Sequence, residues 1–222
     1  MSHAGKIIEL RELLARHISA PPVRRDCGTP TGVETVDQAL DGGLTPGVIV
    51  ELVCPAKSVG GSSLMLAMLR HLAGAGRWSA LIDGRDTFDP QNAGATVLAH
   101  LLWIRCRKAE EALRAADLLL RDGNLPLVFL DLRDNSPAEL RKTPGTTWYR
   151  FQRMLEPTAL ALLVLTPRAL VPCAQARLQL SSSLGIEALD AEPAELLRSV
   201  RVEALQRRSI GAWDEPAYAQ AG

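Results

Sequence analysis

Residues 54–64, with the sequence CPAKSVGGSSL, combine two glycines, a lysine and three serines in one short segment. A loop of this kind between a strand and a helix can bind phosphate, because its backbone N–H groups and the helix N-terminus both attract anions. The pattern GxxxxGK[ST], which is typical of such loops, is only partly matched. Cys54 stands at the first glycine, five residues instead of four precede Gly60, and Gly61 stands at the lysine.

Three further side chains of this segment could take part in phosphate chemistry. Ser62 and Ser63 stand where a hydroxyl that binds Mg²⁺ is expected, whereas Lys57 lies inside the loop and not at the start of the helix. The segment therefore has two interpretations. It is either a divergent nucleotide site or a glycine-containing turn in which a serine caps the following helix.

The elements that must position this loop alternate along the chain. Continuous apolar runs separated by helical patterns predict a mainly parallel sheet flanked by helices on both faces. Two later runs alternate apolar and polar residues, which predicts half-exposed antiparallel strands at a sheet edge near the C-terminus. The continuous runs are 48–53, 79–82, 101–104, 127–131 and 159–166, the alternating runs are 176–180 and 199–205, and the helical patterns are 62–72, 90–99, 109–120 and 147–155.

Composition excludes several classes of protein. Lys plus Arg and Asp plus Glu both number 25, so no overall basic excess indicates nucleic acid, and a polyanion site would need local clustering. The four cysteines form no CxxC pair and the four histidines no HExxH motif, so we expect no metal site. The longest apolar run, 160–166, is too short to span a bilayer, and the charged N-terminus is unlike a signal peptide. We expect a cytoplasmic protein with no membrane partner.

The N-terminal segment predicts an amphipathic helix that needs a surface. Its apolar residues recur every three or four positions, and an isolated helix of this length is marginal in water. The helix either folds back on its own core or docks on a partner. The docking residues would be Ile7, Leu10, Leu14 and Ile18. The predicted domains are the helix at 1–20, a linker at 21–30, a core at 31–210 and a tail at 211–222.

A basic stretch in the second half of the chain could contact DNA. Trp148 and Tyr149 lie within it, and aromatic side chains can stack on bases. The alternative is a solvated helix face with both aromatic side chains partly in the core. The candidate contacts are Arg141, Lys142, Arg150 and Arg153.

Four segments resemble, in order and spacing, the core of RecA-type recombinases: TGVETVDQALDGGLTPGVIVEL at 31–52, the loop at 54–64, ALIDGRDTFDP at 80–90 and LVFLD at 127–131. The resemblance implies a RecA-like P-loop fold, with Asp131 at the Mg²⁺-organising aspartate and Arg85 at the glutamate that activates water. Gly61 cannot replace the phosphate-binding lysine, and a guanidinium cannot act as a base. The resemblance thus implies a vestigial site with no catalytic residue and no cofactor. Its residues would be Lys57, Gly60, Gly61, Ser62, Ser63, Arg85 and Asp131.

The DNA-handling part of that family is also reduced. In RecA-type proteins a long mobile loop that binds DNA follows the strand matching 159–166. Here only PRALVPCAQ at 167–175 precedes the next strand. The resemblance therefore implies no strand exchange.

A narrower likeness spans nearly the whole chain. The segments at 79–90, 101–132, 146–156 and 162–180 resemble ImuA, the RecA-related accessory proteins of damage-inducible error-prone polymerase cassettes, including SulA-like relatives. This likeness implies a noncatalytic adaptor in the SOS response that supports translesion synthesis and induced mutagenesis, in the cytoplasm or associated with the nucleoid.

The implied partners are RecA or a RecA-like neighbour, an ImuB-like Y-family protein and an error-prone replicative-type polymerase, with self-association left open. Two alternatives stay open beside the adaptor. One is a divergent ATPase or nucleotide switch in which Lys57 replaces the missing lysine. The other is a RecA homologue that binds DNA weakly.

Overall fold

A computed structural model describes residues 28–182 and 199–207. The predicted N-terminal helix, most of the predicted linker and the predicted tail lie outside these residues. The candidate docking residues also lie outside them: Ile7, Leu10, Leu14 and Ile18. The described part begins beside the core, where Thr29 and Leu44 exchange two backbone hydrogen bonds of 2.8 Å.

Strands and helices alternate along the described chain. The strands are β1 (Ile49–Val53), β2 (Ser79–Asp83), β3 (Leu101–Arg105), β4 (Leu127–Asp131), β5 (Ala161–Thr166), β6 (Ala176–Ser182) and β7 (Val200–Arg207). The helices are α1 (Glu34–Ala39), α2 (Gly61–Gly74), α3 (Pro90–Ala93), α4 (Ala95–Ala99), α5 (Ala109–Asp122), α6 (Pro137–Arg141) and α7 (Gly145–Leu155), and a single 3₁₀ turn covers Lys57–Val59.

The described strands form one sheet in the order β3-β2-β4-β5-β1-β6-β7. Every neighbouring pair is parallel except β6 and β7, which are antiparallel. The predicted mainly parallel sheet with antiparallel strands near the C-terminus is therefore confirmed. One detail differs from the prediction, because β6 also pairs with β1, so that among the described strands β7 alone forms this edge of the sheet.

Helices cover both faces of the sheet. Side chains alternate between the faces of a strand, so a continuous apolar strand such as β4 supplies both layers. Phe129 packs in one core with α2, whereas Val128 and Leu130 pack in the other with α5 and α7. Among the described helices, none is long and apolar enough to cross a membrane.

Short helices are where the sequence prediction differs from the structure. The helix predicted at 90–99 is two helices, α3 and α4, because Gly94 has a φ of +83° that a continuing helix does not allow. The sequence pattern also gives no sign of α1 and α6, which are too short to show helical periodicity. In α6 the capping is local, since Ser136 and Glu139 form a reciprocal capping box around Pro137.

Candidate functional site

The carboxyl ends of β1, β2, β4 and β5 lie at the same edge of the sheet, because these strands are parallel. Val53 is in register with Thr166, and Asp83 is in register with Asp131. Ligands of open α/β sheets bind outside this edge. The structure thus brings the loop at 54–60 and Asp131 to the same region.

The loop between β1 and α2 ends in a left-handed glycine. Gly60 has a φ of +85°, and a Cβ atom there would meet the side chain of Val200. Gly60 is also the N-cap of α2, with no side-chain hydrogen bond, so the interpretation of a serine N-cap is wrong. Ser62 and Ser63 lie inside the first turn of the helix instead.

Arg133 holds the carboxylate of Asp131 at the end of β4. Its Nε donates to Oδ1 at 2.9 Å and its Nη2 donates to Oδ2 at 2.6 Å. The side chains of Arg133 and Asp131 are only 13% and 7% exposed. Burial alone would lower the pKa of Arg133, but the hydrogen bonds and charge of Asp131 outweigh it and raise that pKa.

The third nitrogen of the same guanidinium reaches α2. Arg133 Nη1 donates to Ser62 Oγ at 3.1 Å. A Cβ atom at Gly61 would lie 2.6 Å from this Nη1 and 2.8 Å from Cys54 Sγ. Burial raises the pKa of the Cys54 thiol to about 12, so the sulfur stays protonated near neutral pH. We call the contacts among Arg133, Asp131 and Ser62 the Arg133 clamp.

Lys57 pairs with Asp134, the residue that follows Arg133, and makes no described contact with the clamp itself. Its Nζ lies 2.7 Å from Asp134 Oδ1, and its side chain is 91% exposed. Partial burial opposes ionisation of Asp134, but Lys57, Arg133 and a hydrogen bond from Thr87 together lower its pKa. The ammonium of Lys57 is thus paired at the surface and not directed at the start of α2.

Arg85 is held in a turn that Asp83 organises. The buried carboxylate of Asp83 accepts backbone hydrogen bonds from Arg85 at 3.3 Å, Thr87 at 3.1 Å and Phe88 at 2.8 Å. The guanidinium of Arg85 donates to the carbonyl oxygen of Arg107 at 2.9 Å. It therefore contacts the segment after β3 and makes no described contact with the clamp.

These contacts decide whether the residues fit Mg²⁺ and a nucleotide, which the resemblance to RecA-type recombinases implies. Magnesium needs oxygen ligands, but both oxygens of Asp131 and the hydroxyl of Ser62 accept hydrogen bonds from Arg133. The guanidinium also lies where a side chain at residue 61 would begin. In the described conformation, these residues do not fit a metal-bound phosphate chain.

The connection between β5 and β6, residues 167–175, is fixed by a second buried ion pair. Glu51 Oε1 accepts hydrogen bonds from the backbone N–H groups of Leu170 at 2.6 Å and Val171 at 3.2 Å. Glu51 Oε2 accepts from Arg177 Nε at 2.6 Å, and Arg177 Nη2 donates to the Val171 carbonyl at 2.7 Å. These hydrogen bonds hold the short connection between β5 and β6 in a defined conformation.

The basic stretch lies on the outer side of α6 and α7. Trp148 is buried, so the prediction that it could stack on bases is wrong, whereas Tyr149 is 47% exposed. Arg150 pairs with Asp117 at 3.1 Å and shares the exposed side of α7 with Tyr149 and Arg153. Two further candidate contacts are exposed at the end of α6: Arg141 and Lys142.

Sequence reasoning missed the roles of Arg133 and Arg177. Arg133 follows Asp131 by two residues, and an aspartate side chain readily accepts hydrogen bonds from the residue two positions further on in a turn. That spacing is the signal that could have identified the pair of Asp131 and Arg133, but not the contact with Ser62. No comparable signal joins Arg177 to Glu51, because 126 positions separate them.

Comparison with known proteins gives partial matches in sequence and a broader match in fold. No protein-family model matches the chain. The chain is 33% identical over 114 residues to protein RecA of Frankia alni and 39% identical over 106 residues to protein RecA of Clavibacter michiganensis. These matches cover 50% and 46% of this chain but only 32% and 29% of those proteins. The chain thus spans about a third of the length of the curated relatives it matches.

The fold is similar to that of the RadB recombinase. The two structures superpose with a TM-score of 0.55 at 18% sequence identity, over 70% of this chain and 84% of that one. The chain has a RecA/RadB-like fold. Sequence and fold together support its place in the RecA-like superfamily.

Proposed function

We propose that this protein is a noncatalytic RecA-like adaptor in the DNA-damage (SOS) response, supporting translesion synthesis and induced mutagenesis through protein partners. Similarity to protein RecA and to a recombinase relates the chain to DNA recombination and repair. The finer assignment to an ImuA-type accessory protein is part of this proposal. It rests on the sequence likeness of the segments at 101–132, 146–156 and 162–180.

The observation that carries the proposal is the bidentate pairing of Asp131 with Arg133. Phosphoryl transfer depends on cations at the phosphates and on a group that orients the attacking water. In this chain Gly61 supplies no cation, and Arg85 stands where the resemblance implies the activating glutamate. A guanidinium stays protonated and cannot accept the proton of water. These features favour a site without ATP hydrolysis.

The partners we propose are RecA or a RecA-like neighbour, an ImuB-like Y-family protein and an error-prone replicative-type polymerase. A RecA-like fold without nucleotide chemistry can still present the surface of that fold to other proteins. Function would then depend on which faces stay exposed and not on turnover. Self-association is part of the same proposal.

The experiment separates the adaptor from a nucleotide switch. ATP binding and hydrolysis are measured with and without single-stranded DNA, and damage-induced mutation frequency is measured in cells that carry only a plasmid copy of the gene. We expect no hydrolysis, and we expect Lys57→Ala to support the same mutation frequency as wild type. Lys108→Ala, at another exposed lysine, is the matched control.

Two results would contradict the adaptor. ATP hydrolysis that Lys57→Ala abolishes, together with loss of mutagenesis in that variant, would favour the nucleotide switch. Unchanged induced mutagenesis in cells without the gene would remove the proposed place in the damage response altogether.

A second candidate function, weak binding of single-stranded DNA, is favoured by one observation. Tyr149 is exposed on α7 beside Arg150 and Arg153, and this combination suits stacking on a base with phosphates nearby. Such binding is compatible with the adaptor and needs no nucleotide.

A further inference from the structure

We infer that the guanidinium of Arg133 is a built-in substitute for the cations of a nucleotide site, and that it keeps the loop at 54–60 and the start of α2 folded without a nucleotide. This inference rests on the proposed function, since it explains how the loop at 54–60, which resembles a phosphate-binding loop, stays ordered in a protein that uses no ATP. It concerns a different property, the conformation of the loop.

The first step is the geometry of the guanidinium, which uses all three of its nitrogens. Two of them bind the two oxygens of Asp131 at the end of β4, and the third binds Ser62 Oγ in the first turn of α2. A bidentate arginine–carboxylate pair is strong and directional. One side chain therefore joins the interior strand β4 to the helix that follows the loop.

The second step is the space that the guanidinium fills. A Cβ atom at residue 61 would be 2.6 Å from Arg133 Nη1, which is closer than nonbonded atoms approach. A lysine at residue 61 would therefore require the guanidinium of Arg133 to move from its described position. The glycine at the lysine position and the arginine after β4 form one coupled arrangement.

The third step is the charge. Asp131 is buried, and a buried carboxylate without a cation is costly. A metal that arrived with a nucleotide would compensate this charge only while it was bound, whereas Arg133 compensates it permanently. The loop conformation should therefore depend on Arg133 and not on any ligand.

The test is backbone hydrogen exchange of residues 55–64, followed by mass spectrometry on the full chain. Arg133→Met keeps most of the side-chain volume and removes the charge and every donor. We expect exchange in this segment to become faster by roughly tenfold or more, the change expected for loss of a hydrogen bond to a charged group. Arg141→Met, at an exposed arginine in α6, should leave the segment unchanged.

Ser62→Ala is a second variant that tests the inference even if Arg133→Met does not fold. It removes only the link from the guanidinium to α2 and leaves the pair with Asp131 intact. We expect a smaller acceleration confined to the same segment. Unchanged exchange in folded Arg133→Met, or in Ser62→Ala if the first variant is unfolded, would overturn the inference.

Addition of ATP and Mg²⁺ to the wild-type protein distinguishes failure of the inference from failure of the proposed function. We expect no change in the exchange of residues 55–64. Slower exchange on addition of ATP would mean that a nucleotide still binds, which contradicts the proposed function. The response of the Arg133→Met and Ser62→Ala variants would still report on the clamp by itself.

Discussion

Two buried carboxylates, Glu51 and Asp131, lie on parallel strands of one sheet, and each is held by an arginine of the same chain. Glu51 is fully buried and accepts hydrogen bonds from Thr166, Leu170, Val171 and Arg177. Asp131 binds only Arg133 among the described side chains, through both carboxylate oxygens. The first pair joins β1, β6 and the connection at 167–175, whereas the second joins the end of β4 to the start of α2.

The difference lies in how far apart the partners are along the chain. Glu51 and Arg177 are 126 residues apart, so their pair forms only when the sheet is assembled. Asp131 and Arg133 are two residues apart and can meet in a local turn. We therefore expect the Glu51 pair to stabilise the whole sheet and the Asp131 pair to stabilise mainly the loop before α2.

The largest effect is expected from Arg177→Met. The substitution leaves the charge of Glu51 buried without its cation, which typically costs about 3–5 kcal/mol. Urea unfolding followed by circular dichroism measures this loss of unfolding free energy.

The double variant Glu51→Gln with Arg177→Met is the control for this prediction. Glutamine keeps an acceptor oxygen for the backbone N–H groups of Leu170 and Val171 and carries no charge. We expect the double variant to be more stable than Arg177→Met alone. If both variants unfold at the same urea concentration, the buried charge is not the cause.

A smaller effect is expected from Asp131→Asn. The variant removes the charge from the hydrogen bonds to Arg133, each worth about 1.5–3 kcal/mol, but asparagine keeps one oxygen that can accept from the guanidinium. The side chain of Asp131 is also 7% exposed, whereas that of Glu51 is fully buried. Unfolding free energy should fall less than in Arg177→Met, with faster exchange confined to the loop before α2. A greater loss of unfolding free energy than in Arg177→Met would contradict the expectation that the Glu51 pair stabilises the whole sheet and the Asp131 pair mainly the loop.

The exposed basic stretch is a third region, and its arginines lie at the surface and not in buried ion pairs. Replacing four residues by alanine should weaken binding to single-stranded DNA while changing unfolding free energy by no more than about 1 kcal/mol. For the wild type we expect a slope of log K against log salt no steeper than about −3, from about −0.7 per phosphate. The four residues are Arg141, Lys142, Arg150 and Arg153.

A variant that retains the positive charges tests whether charge alone accounts for the binding. Arg141→Lys, Arg150→Lys and Arg153→Lys together should bind single-stranded DNA nearly as well as wild type, because the interaction is with phosphates. Equal binding by the alanine variant and wild type would mean that the stretch is only a solvated helix face.

The smallest effect is expected from Lys57→Ala. Its pair with Asp134 is at the surface, where such pairs are worth at most about 1 kcal/mol. Because the folded-state pKa of Asp134 is lowered, this contribution is present near neutral pH and is lost as the pH falls through that value, below about 4. Unfolding curves of both proteins at pH 7 and pH 3 measure the change. If the difference in unfolding free energy between wild type and Lys57→Ala were larger at pH 3 than at pH 7, the pair of Lys57 with Asp134 would not be its cause.

The order of elements could be predicted from the sequence because the signals are local. A run such as LVFLD is apolar at every position but the last, and both its strand structure and its burial on two faces follow from that pattern. The carboxylate of Asp131 at the end of that strand, and the loop at 54–60 after β1, follow in the same way. The RecA-like fold, predicted from co-linear motifs, has the same basis.

The long-range partners of the buried charged side chains were decided only by the tertiary structure. Strand order brings β1 beside β6, and this proximity alone allows Arg177 to reach Glu51. The clamp likewise forms because the start of α2 lies beside the end of β4, so that one guanidinium contacts both Asp131 and Ser62. Periodicity describes which face a residue occupies, whereas the partner of a buried charge depends on the element that packs against that face.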